Sequence, residues 1–147
     1  MDFKIARKNM VENQIRANKV TSLNVINAFL DVPREKFVPN TLQEISYVDE
    51  DIQLSRNRFM MKPMILARLF QSLNLKGNEN ILHVGSNSGY GSAILSRMCS
   101  SVISLESDKK LFETSIHTFS NMGFDNVVPL HGSMENGVEK EAPFDII

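Results

Sequence analysis

The stretch Asn80-Ile-Leu-His-Val-Gly-Ser-Asn-Ser-Gly-Tyr90 decides the fold of this 147-residue chain. The apolar run at its start predicts a short buried strand, its two glycines predict a tight loop, and the residues from Tyr90 to Met98 predict a helix. A second strand follows in Ser101-Val-Ile-Ser-Leu-Glu106 and ends in an acid. Two strands joined by one helix predict a parallel pair with a crossover connection.

The alternation of strand and helix continues to the last residue. Lys109 to Met122 predicts a helix, Val127 to Leu130 a strand, and Phe144 to Ile147 the start of a fourth strand. The fold class is therefore α/β: a Rossmann-like, doubly wound and mostly parallel sheet, here of about four strands, within residues 79–147. Residues 1–78 are predicted to form an N-terminal segment of helices and loops that precedes this sheet, and we expect one structural domain overall.

Three helices are predicted in the N-terminal segment. The first carries a partial helical stripe of Ile5, Met10, Val11, Gln14 and Ile15, with charged residues between them. The second has Thr21 or Ser22 as its N-cap and stops at Pro33. The third has Pro63 in its first turn and a buried face of Met64, Ala67, Leu69, Phe70 and Leu73.

Composition narrows the classes of function. The chain has 16 basic and 17 acidic residues and a net charge of −1, which argues against a nucleic-acid partner. No apolar run approaches the roughly 18 residues of a membrane-spanning helix. The one cysteine, Cys99, fits a small core residue in a reducing compartment, so we expect a cytoplasmic protein. The three histidines have no ligand-type spacing, and we expect no metal site.

The loop from Gly85 to Gly89 marks a candidate nucleoside site. Ligands of open α/β sheets bind beyond the carboxyl ends of the strands, where a helix N-terminus supplies N–H groups, and we expect the absent side chain of Gly89 to admit a ligand. Glu106 ends the next strand, where an acid accepts from ribose hydroxyls. The alternative is that the glycines only shape a turn and Glu106 is a solvated strand end. Asn87 lies where a dinucleotide fingerprint needs glycine, which disfavours a nicotinamide cofactor.

Several segments resemble the protein-L-isoaspartate O-methyltransferase family, from about Arg7 to the last residue. They are Met10-Val-Glu-Asn-Gln-Ile15, Ala28-Phe-Leu-Asp-Val-Pro-Arg-Glu-Lys-Phe-Val-Pro39, Tyr47-Val-Asp-Glu-Asp51, Pro63, Gly85 to Tyr90 and Ala142-Pro-Phe-Asp-Ile146. The resemblance implies methylation of the α-carboxylate of isoaspartyl residues in damaged proteins, with S-adenosylmethionine as cofactor. The ester then cyclises to a succinimide, and hydrolysis returns some normal aspartate.

The resemblance also implies roles for individual residues. Gly85 and the loop Ser86, Asn87, Ser88 and Gly89 would hold the methionyl part of the cofactor, Glu106 the ribose, and Gly132 and Ser133 the adenine. It assigns no catalytic residue, because a carboxylate is already a nucleophile at pH 7 and the sulfonium methyl group is already activated. Alignment of the two is the main task of such an enzyme.

The chain departs from the family pattern at several of these positions. His83 replaces an acid near the positively charged end of the cofactor, Asn87 replaces a loop glycine, and Ser133 replaces an aspartate. In the family's substrate loop, Asn57, Phe59 and Met61 stand where Gly, Thr and Ser are usual. Arg56, Arg58 and Lys62 could attract a carboxylate there, or form a solvated basic loop.

The sequence also predicts self-association. Strand four, where the sequence stops at Ile147, would be an exposed sheet edge, and we expect self-association through it.

The departures from the family pattern motivate a second hypothesis for the function. The chain would be a catalytically impaired or truncated relative that acts as a cofactor-binding or interaction module or is a decaying product. The sequence leaves open whether the chain is active, whether a missing C-terminal half is a separate chain, the oligomeric state and the actual substrate.

Overall fold

The computed structural model describes every residue from Met1 to Ile147 and divides into two compact units, Met1–Asn74 and Leu75–Ile147. Each unit is described by itself below. The predicted domain arrangement, with a boundary after residue 78, stays a prediction.

Helices dominate the first unit. They are α1 (Phe3–Met10), α2 (Leu23–Asp31) and α3 (Pro63–Ser72). Asp2 caps α1 by accepting the backbone N–H groups of Lys4 and Ile5, at 3.0 and 3.1 Å, and Ser22 caps α2. Beyond α1 the chain continues through a π-helical turn (Val11–Ile15) and a 3-10 turn (Arg16–Asn18), so the predicted helical segment extends to Asn18 with a change of pitch.

Two predicted core residues of the first unit are wrong. Ile5 and Leu69 are 58% and 49% exposed, whereas Leu66 on α3 is buried and was not predicted. The reason is the angular position of each side chain: Leu66, Ala67 and Phe70 lie at i, i+1 and i+4 and share one face, and Leu69 falls outside it.

A small antiparallel hairpin precedes α3. Strand β1 (Ile52–Ser55) pairs with β2 (Arg58–Met60), and the register shifts between Gln53 and Ser55. Two 3-10 turns, Arg34–Phe37 and Asn40–Ile45, connect α2 to this hairpin. The sequence shows no clear period here because both strands are short, so loops or short strands were equally compatible with it.

The second unit contains the predicted parallel sheet. Strands β3 (Asn80–Val84), β4 (Ser101–Glu106) and β5 (Val127–His131) are hydrogen-bonded in the order β3-β4-β5, and all three are parallel. The connections are α4 (Tyr90–Ser96) and α5 (Lys109–Met122), and a 3-10 turn lies at Glu139–Glu141. The Rossmann-like α/β fold preceded by a helical segment is therefore confirmed.

The predicted fourth strand is reduced to a single bridge. Ile146 pairs in parallel with Ile81, and its carbonyl accepts the Leu82 N–H at 3.0 Å, so this segment lies on the side of β3 away from β4. The sheet thus has three hydrogen-bonded strands where about four were predicted. Self-association through this edge stays a prediction. None of the helices combines the length and apolarity needed to cross a membrane.

Candidate functional site

The loop between β3 and α4 uses left-handed backbone conformations at three positions. Gly85, Asn87 and Gly89 have φ values of 73°, 57° and 96°. Glycine adopts such angles without steric cost, and asparagine tolerates them better than most side chains do. The replacement of glycine by Asn87 therefore leaves the path of the loop intact.

Glu106 holds this loop from the end of β4. The carboxylate is 1% exposed, and it accepts the backbone N–H of Asn87 at 2.6 Å and those of Ser107 and Asp108 at 2.9 Å each. A solvated strand end, the alternative considered above, is excluded by this burial. A carboxylate that accepts hydrogen bonds from three backbone N–H groups fixes the positions of both donating segments, the loop at Asn87 and the turn at Ser107 and Asp108.

The loop's own amides are largely engaged within the protein. The N–H groups of Gly85 and Ser86 donate to the Leu105 carbonyl at 2.9 and 3.2 Å, and that of Gly89 donates to the Ser86 carbonyl at 2.9 Å. The N–H groups expected to face a ligand are those of the first turn of α4, which begins at Tyr90, and none of these three bonds involves them, so that expectation stays a prediction.

Two serine hydroxyls in the loop are buried without a hydrogen-bond partner. Ser86 and Ser88 are 3% and 2% exposed, and neither Oγ is bonded to another protein atom. Buried hydroxyls are normally paired, and an unpaired one costs free energy. Their place in a loop at the carboxyl edge of the sheet fits hydroxyls that bind a polar ligand.

Gly89 opens α4 for a packing reason rather than for ligand access. A Cβ built on Gly89 would overlap the ring of Phe119 on α5, with Cε1 2.9 Å away and Cζ closer still. The space that we expected a ligand to use beside this glycine is filled by an aromatic side chain. Phe119 in turn packs edge-on against Phe124, with ring centroids 6.0 Å apart.

The end of β5 completes the edge of the site. The N–H of Gly132 donates to the Glu106 carbonyl at 3.1 Å, and this bond brings Gly132 beside the end of β4. Ser133, one residue further on, is exposed. The structure thus brings together the 85–89 loop, Glu106 and Gly132, and leaves Ser133 at the surface.

His83 belongs to a polar chain that the sequence did not predict. Its Nδ1 lies 2.7 Å from the Ser92 Oγ, and Ser92 lies 3.0 Å from the Ser104 Oγ. Burial lowers the pKa of His83 to about 4, against a smaller opposing effect of the Glu106 charge, so the imidazole is neutral at pH 7. No signal in the sequence indicated this polar chain, because the in-register pairing of His83 with Ser104 on adjacent strands is seen only in the structure.

Two charged residues of the segment Ala28 to Pro39, Arg34 and Glu35, lie in the core of the first unit. Arg34 is fully buried and donates from Nε to the Ser46 carbonyl at 2.6 Å and from Nη2 to the Met61 carbonyl at 3.1 Å. Glu35 accepts from Arg7 at 3.3 Å and from the Tyr47 hydroxyl, and burial followed by the Glu35 bond raises the pKa of Tyr47. These bonds connect the 3-10 turn Arg34–Phe37 with α1, with Ser46 and Tyr47, and with Met61 directly after β2.

The hairpin exposes the side chains that replace the expected hydroxyl residues. Phe59 and Met61 are 50% and 38% exposed, and they lie two residues apart on one face of the chain. Arg56 is exposed, whereas Arg58 and Lys62 are half-buried. This surface combines apolar and basic character.

Neither a metal site nor a reactive thiol is indicated. The structure contains no group of three or more His, Cys, Asp or Glu side chains arranged to hold a metal ion. Burial, with a smaller contribution from the Glu79 charge, raises the pKa of Cys99 to about 11, so this thiol is protonated at pH 7.

Comparison with known proteins decides the family. The model of the family described as protein-L-isoaspartate(D-aspartate) O-methyltransferase matches residues 5–147. The chain belongs to this family. Its resemblance to the family, inferred from the sequence, is therefore confirmed.

Curated relatives carry the same family name. A protein-L-isoaspartate O-methyltransferase 2 from Anaeromyxobacter sp. (strain Fw109-5) is 35% identical over 96% of this chain and 58% of its own length. One from Shewanella sediminis is 33% identical over 97% of this chain and 58% of its own length. The chain thus spans somewhat more than half the length of these two relatives.

Solved structures support the fold. A protein-L-isoaspartate O-methyltransferase superposes with a TM-score of 0.82 at 24% identity, over 95% of this chain and 46% of that chain. A Plasmodium falciparum protein of the same description, in complex with S-adenosyl-L-homocysteine, superposes with a TM-score of 0.76 at 24% identity, over 99% of this chain and 72% of that chain.

Proposed function

We propose that this chain functions in methyl transfer from S-adenosylmethionine to the α-carboxylate of isoaspartyl residues in damaged proteins. The observation that carries the proposal is the 85–89 loop, held in a left-handed path by the buried Glu106 carboxylate and lined by two buried, unpaired serine hydroxyls. Family membership supports the choice of cofactor and substrate.

The residues present fit this cofactor. Ser86 and Ser88 offer hydroxyls that can donate to a carboxylate or accept from an ammonium group, which suits the amino-acid end of S-adenosylmethionine. Glu106 stands at the strand end where a carboxylate meets ribose hydroxyls, and Gly132 and Ser133 stand on the adenine side. Each of these roles is part of the proposal.

The bound cofactor supplies a methyl group on a cationic sulfur, which an ionised carboxylate can attack directly. The protein's contribution is therefore positional. Glu106 orders the loop before any ligand arrives, which lowers the entropy cost of binding. No residue needs to remove a proton, since the attacking carboxylate is already ionised at pH 7. We also propose a cytoplasmic location, which the single buried, unpaired Cys99 supports.

Methyl transfer from radiolabelled S-adenosylmethionine tests the proposal. The full chain should label a peptide that contains one isoaspartyl residue and should leave the same peptide with a normal aspartyl residue unlabelled. The label should be released as methanol in mild base, as expected for a carboxyl methyl ester. Cofactor binding without transfer would favour the alternative of an impaired relative, and absence of both would contradict the proposal.

A further inference from the structure

A groove of about 600 Å³ opens on the surface of the first unit beside α1. Its side chains are themselves exposed or half-buried, and Ile5 among them is 58% exposed. An open groove of this kind suits a second macromolecule better than a small molecule, which usually loses most of its surface on binding. This basic groove is lined by Lys4, Ile5, Arg7, Lys8, Glu12 and Leu30.

The basic groove carries uncompensated positive charge. Two of its charged side chains, Arg7 and Glu12, each lie in an ion pair, at 3.3 and 3.1 Å. Lys4 and Lys8 form no ion pair, and they lie four residues apart on α1, where two like charges repel each other. An acidic side chain placed between them relieves this repulsion. The groove therefore favours an apolar partner surface that carries acids.

The first unit itself presents such a surface at residues 44–50, the acidic segment. Two large apolar side chains are exposed there, Ile45 at 47% and Val48 at 39%. Three exposed carboxylates lie in the same segment and form no ion pair or hydrogen bond with the rest of the chain, namely those of Glu44, Asp49 and Glu50. The acidic segment thus has the apolar character of the basic groove and the opposite charge.

Buried hydrogen bonds hold both surfaces in place. Arg7, which lines the basic groove, donates from Nε to the Tyr47 hydroxyl at 3.0 Å. Within the acidic segment, the carbonyl of the buried Tyr47 accepts from the Gln14 side chain at 2.8 Å. The carbonyl of the buried Ser46 accepts from Arg34 at 2.6 Å. The exposed residues on either side therefore have a fixed backbone before a partner arrives, which lowers the entropy cost of association.

We propose that two copies of this chain associate by placing the acidic segment of one copy in the basic groove of the other. The carboxylates then lie beside Lys4 and Lys8, and the apolar side chains of the segment cover Ile5. The bond between Arg7 and Tyr47 makes the two surfaces neighbours in each copy, so a two-fold axis between copies can form the contact twice. A net charge of −1 leaves little overall repulsion between copies. The inference depends on neither the cofactor nor the sheet edge at Ile146.

Sedimentation velocity of the wild-type chain, over a wide range of protein concentration, gives the first test. In about 0.02 M sodium chloride the mass should rise with concentration from that of one chain, 16.6 kDa, towards that of two, and about 0.5 M salt should reverse the rise by screening the charges. A single chain at every concentration in low salt would overturn the proposal. Association that is indifferent to salt would also overturn it, because it would point to an uncharged surface such as the sheet edge.

Charge reversal in the groove gives the second test. Lys4→Glu combined with Lys8→Glu should weaken association by about tenfold or more, because it places like charges opposite each other. Lys109→Glu combined with Lys110→Glu is the matched control, since it makes the same change in net charge at two exposed lysines of α5. The control should associate as the wild type does. Equal weakening in both double variants, with the fold intact by circular dichroism, would assign the effect to net charge and contradict the proposed contact.

Mixing of complementary variants is the decisive test. Asp49→Lys combined with Glu50→Lys should also weaken self-association, whereas Glu139→Lys combined with Glu141→Lys, at an exposed turn, should not.

An equimolar mixture of the lysine-reversed and acid-reversed variants should recover an assembly of two chains. Each variant keeps the one wild-type surface that the other needs, and the two reversed surfaces also carry opposite charges. A mixture in which both folded variants stay single chains would overturn the proposal.

Discussion

The carboxylate of Glu106 and the backbone N–H of Asn87 lie 2.6 Å apart and join the end of β4 to the middle of the loop after β3. The bond closes the loop at Asn87, the one left-handed residue of the 85–89 loop that carries a side chain, with a φ of 57°. Because the carboxylate also accepts the N–H groups of Ser107 and Asp108, a single buried acid organises two segments of the candidate site. Loss of the Glu106 carboxylate should therefore also disturb the conformation of the loop.

Glu106→Gln should destabilise the chain by about 2 kcal/mol. The substituted amide cannot accept three N–H bonds with the strength of a carboxylate, and its NH₂ group would face backbone donors. Urea unfolding followed by circular dichroism measures the effect. Glu113→Gln is the control, since Glu113 forms an exposed pair with Lys109 on α5. An equal free energy of unfolding for both variants would contradict the structural role of Glu106.

Gly89→Ala should cost about 3 kcal/mol or more, because it adds a clash with Phe119 to the strain of a φ of 96°. Gly77→Ala is a matched control: Gly77 has a φ of 105°, and nothing lies within 4 Å of an added Cβ. Its cost should be about 1 kcal/mol, from strain alone. The comparison of the two by thermal or urea unfolding isolates the clash, and equal costs would show that the Phe119 contact is unimportant.

Asn87→Gly and Asn87→Ala should differ in their effects on stability. Glycine adopts a φ of 57° without strain, so Asn87→Gly should leave stability unchanged or raise it by up to about 1 kcal/mol. Alanine lacks both that freedom and the local hydrogen bonding of asparagine, so Asn87→Ala should cost about 1 kcal/mol. Both keep the N–H that Glu106 accepts. A more stable alanine variant would contradict the left-handed conformation.

The stability of the chain should depend on pH through His83. Burial lowers its pKa from 6.5 to about 4 in the folded state. Between these two pH values the unfolded chain binds more protons than the folded chain. The free energy of unfolding therefore has its full value above pH 6.5 and decreases as the pH falls towards 4. The decrease should be about 1–3 kcal/mol, allowing for solvent screening at a half-buried group. His83→Gln should remove this part of the pH dependence, and an unchanged profile in that variant would assign it to other groups.

The sheet could be predicted because its strands are short apolar runs in the sequence, and β3 and β4 are each followed by a helix that returns the chain for a parallel strand. Ile81 to Val84, Val102 to Leu105 and Val127 to Leu130 all lie within observed strands. The crevice residues followed from topology, since parallel strands end at one edge. Their individual contacts did not follow, because they depend on side chains distant in sequence, such as Phe119 beside Gly89.

The N-terminal unit was less predictable for a similar reason. Charged residues are normally exposed, yet Arg34 and Glu35 are buried. The structure explains this burial, because Arg34 donates to the carbonyls of Ser46 and Met61. Glu35 accepts hydrogen bonds from the side chains of Arg7 and Tyr47. The sequence motif therefore indicated the family, whereas its physical role, a buried set of hydrogen bonds, required the structure.

Calorimetric titration of the 147-residue chain with S-adenosyl-L-homocysteine tests the central claim most directly, because it measures the occupancy of the crevice independently of any substrate. Saturable binding to one site per chain, weakened at least tenfold by Glu106→Gln and unchanged by Glu113→Gln, is the expected result. No binding by a folded wild-type chain, or binding that is indifferent to Glu106, would contradict the account.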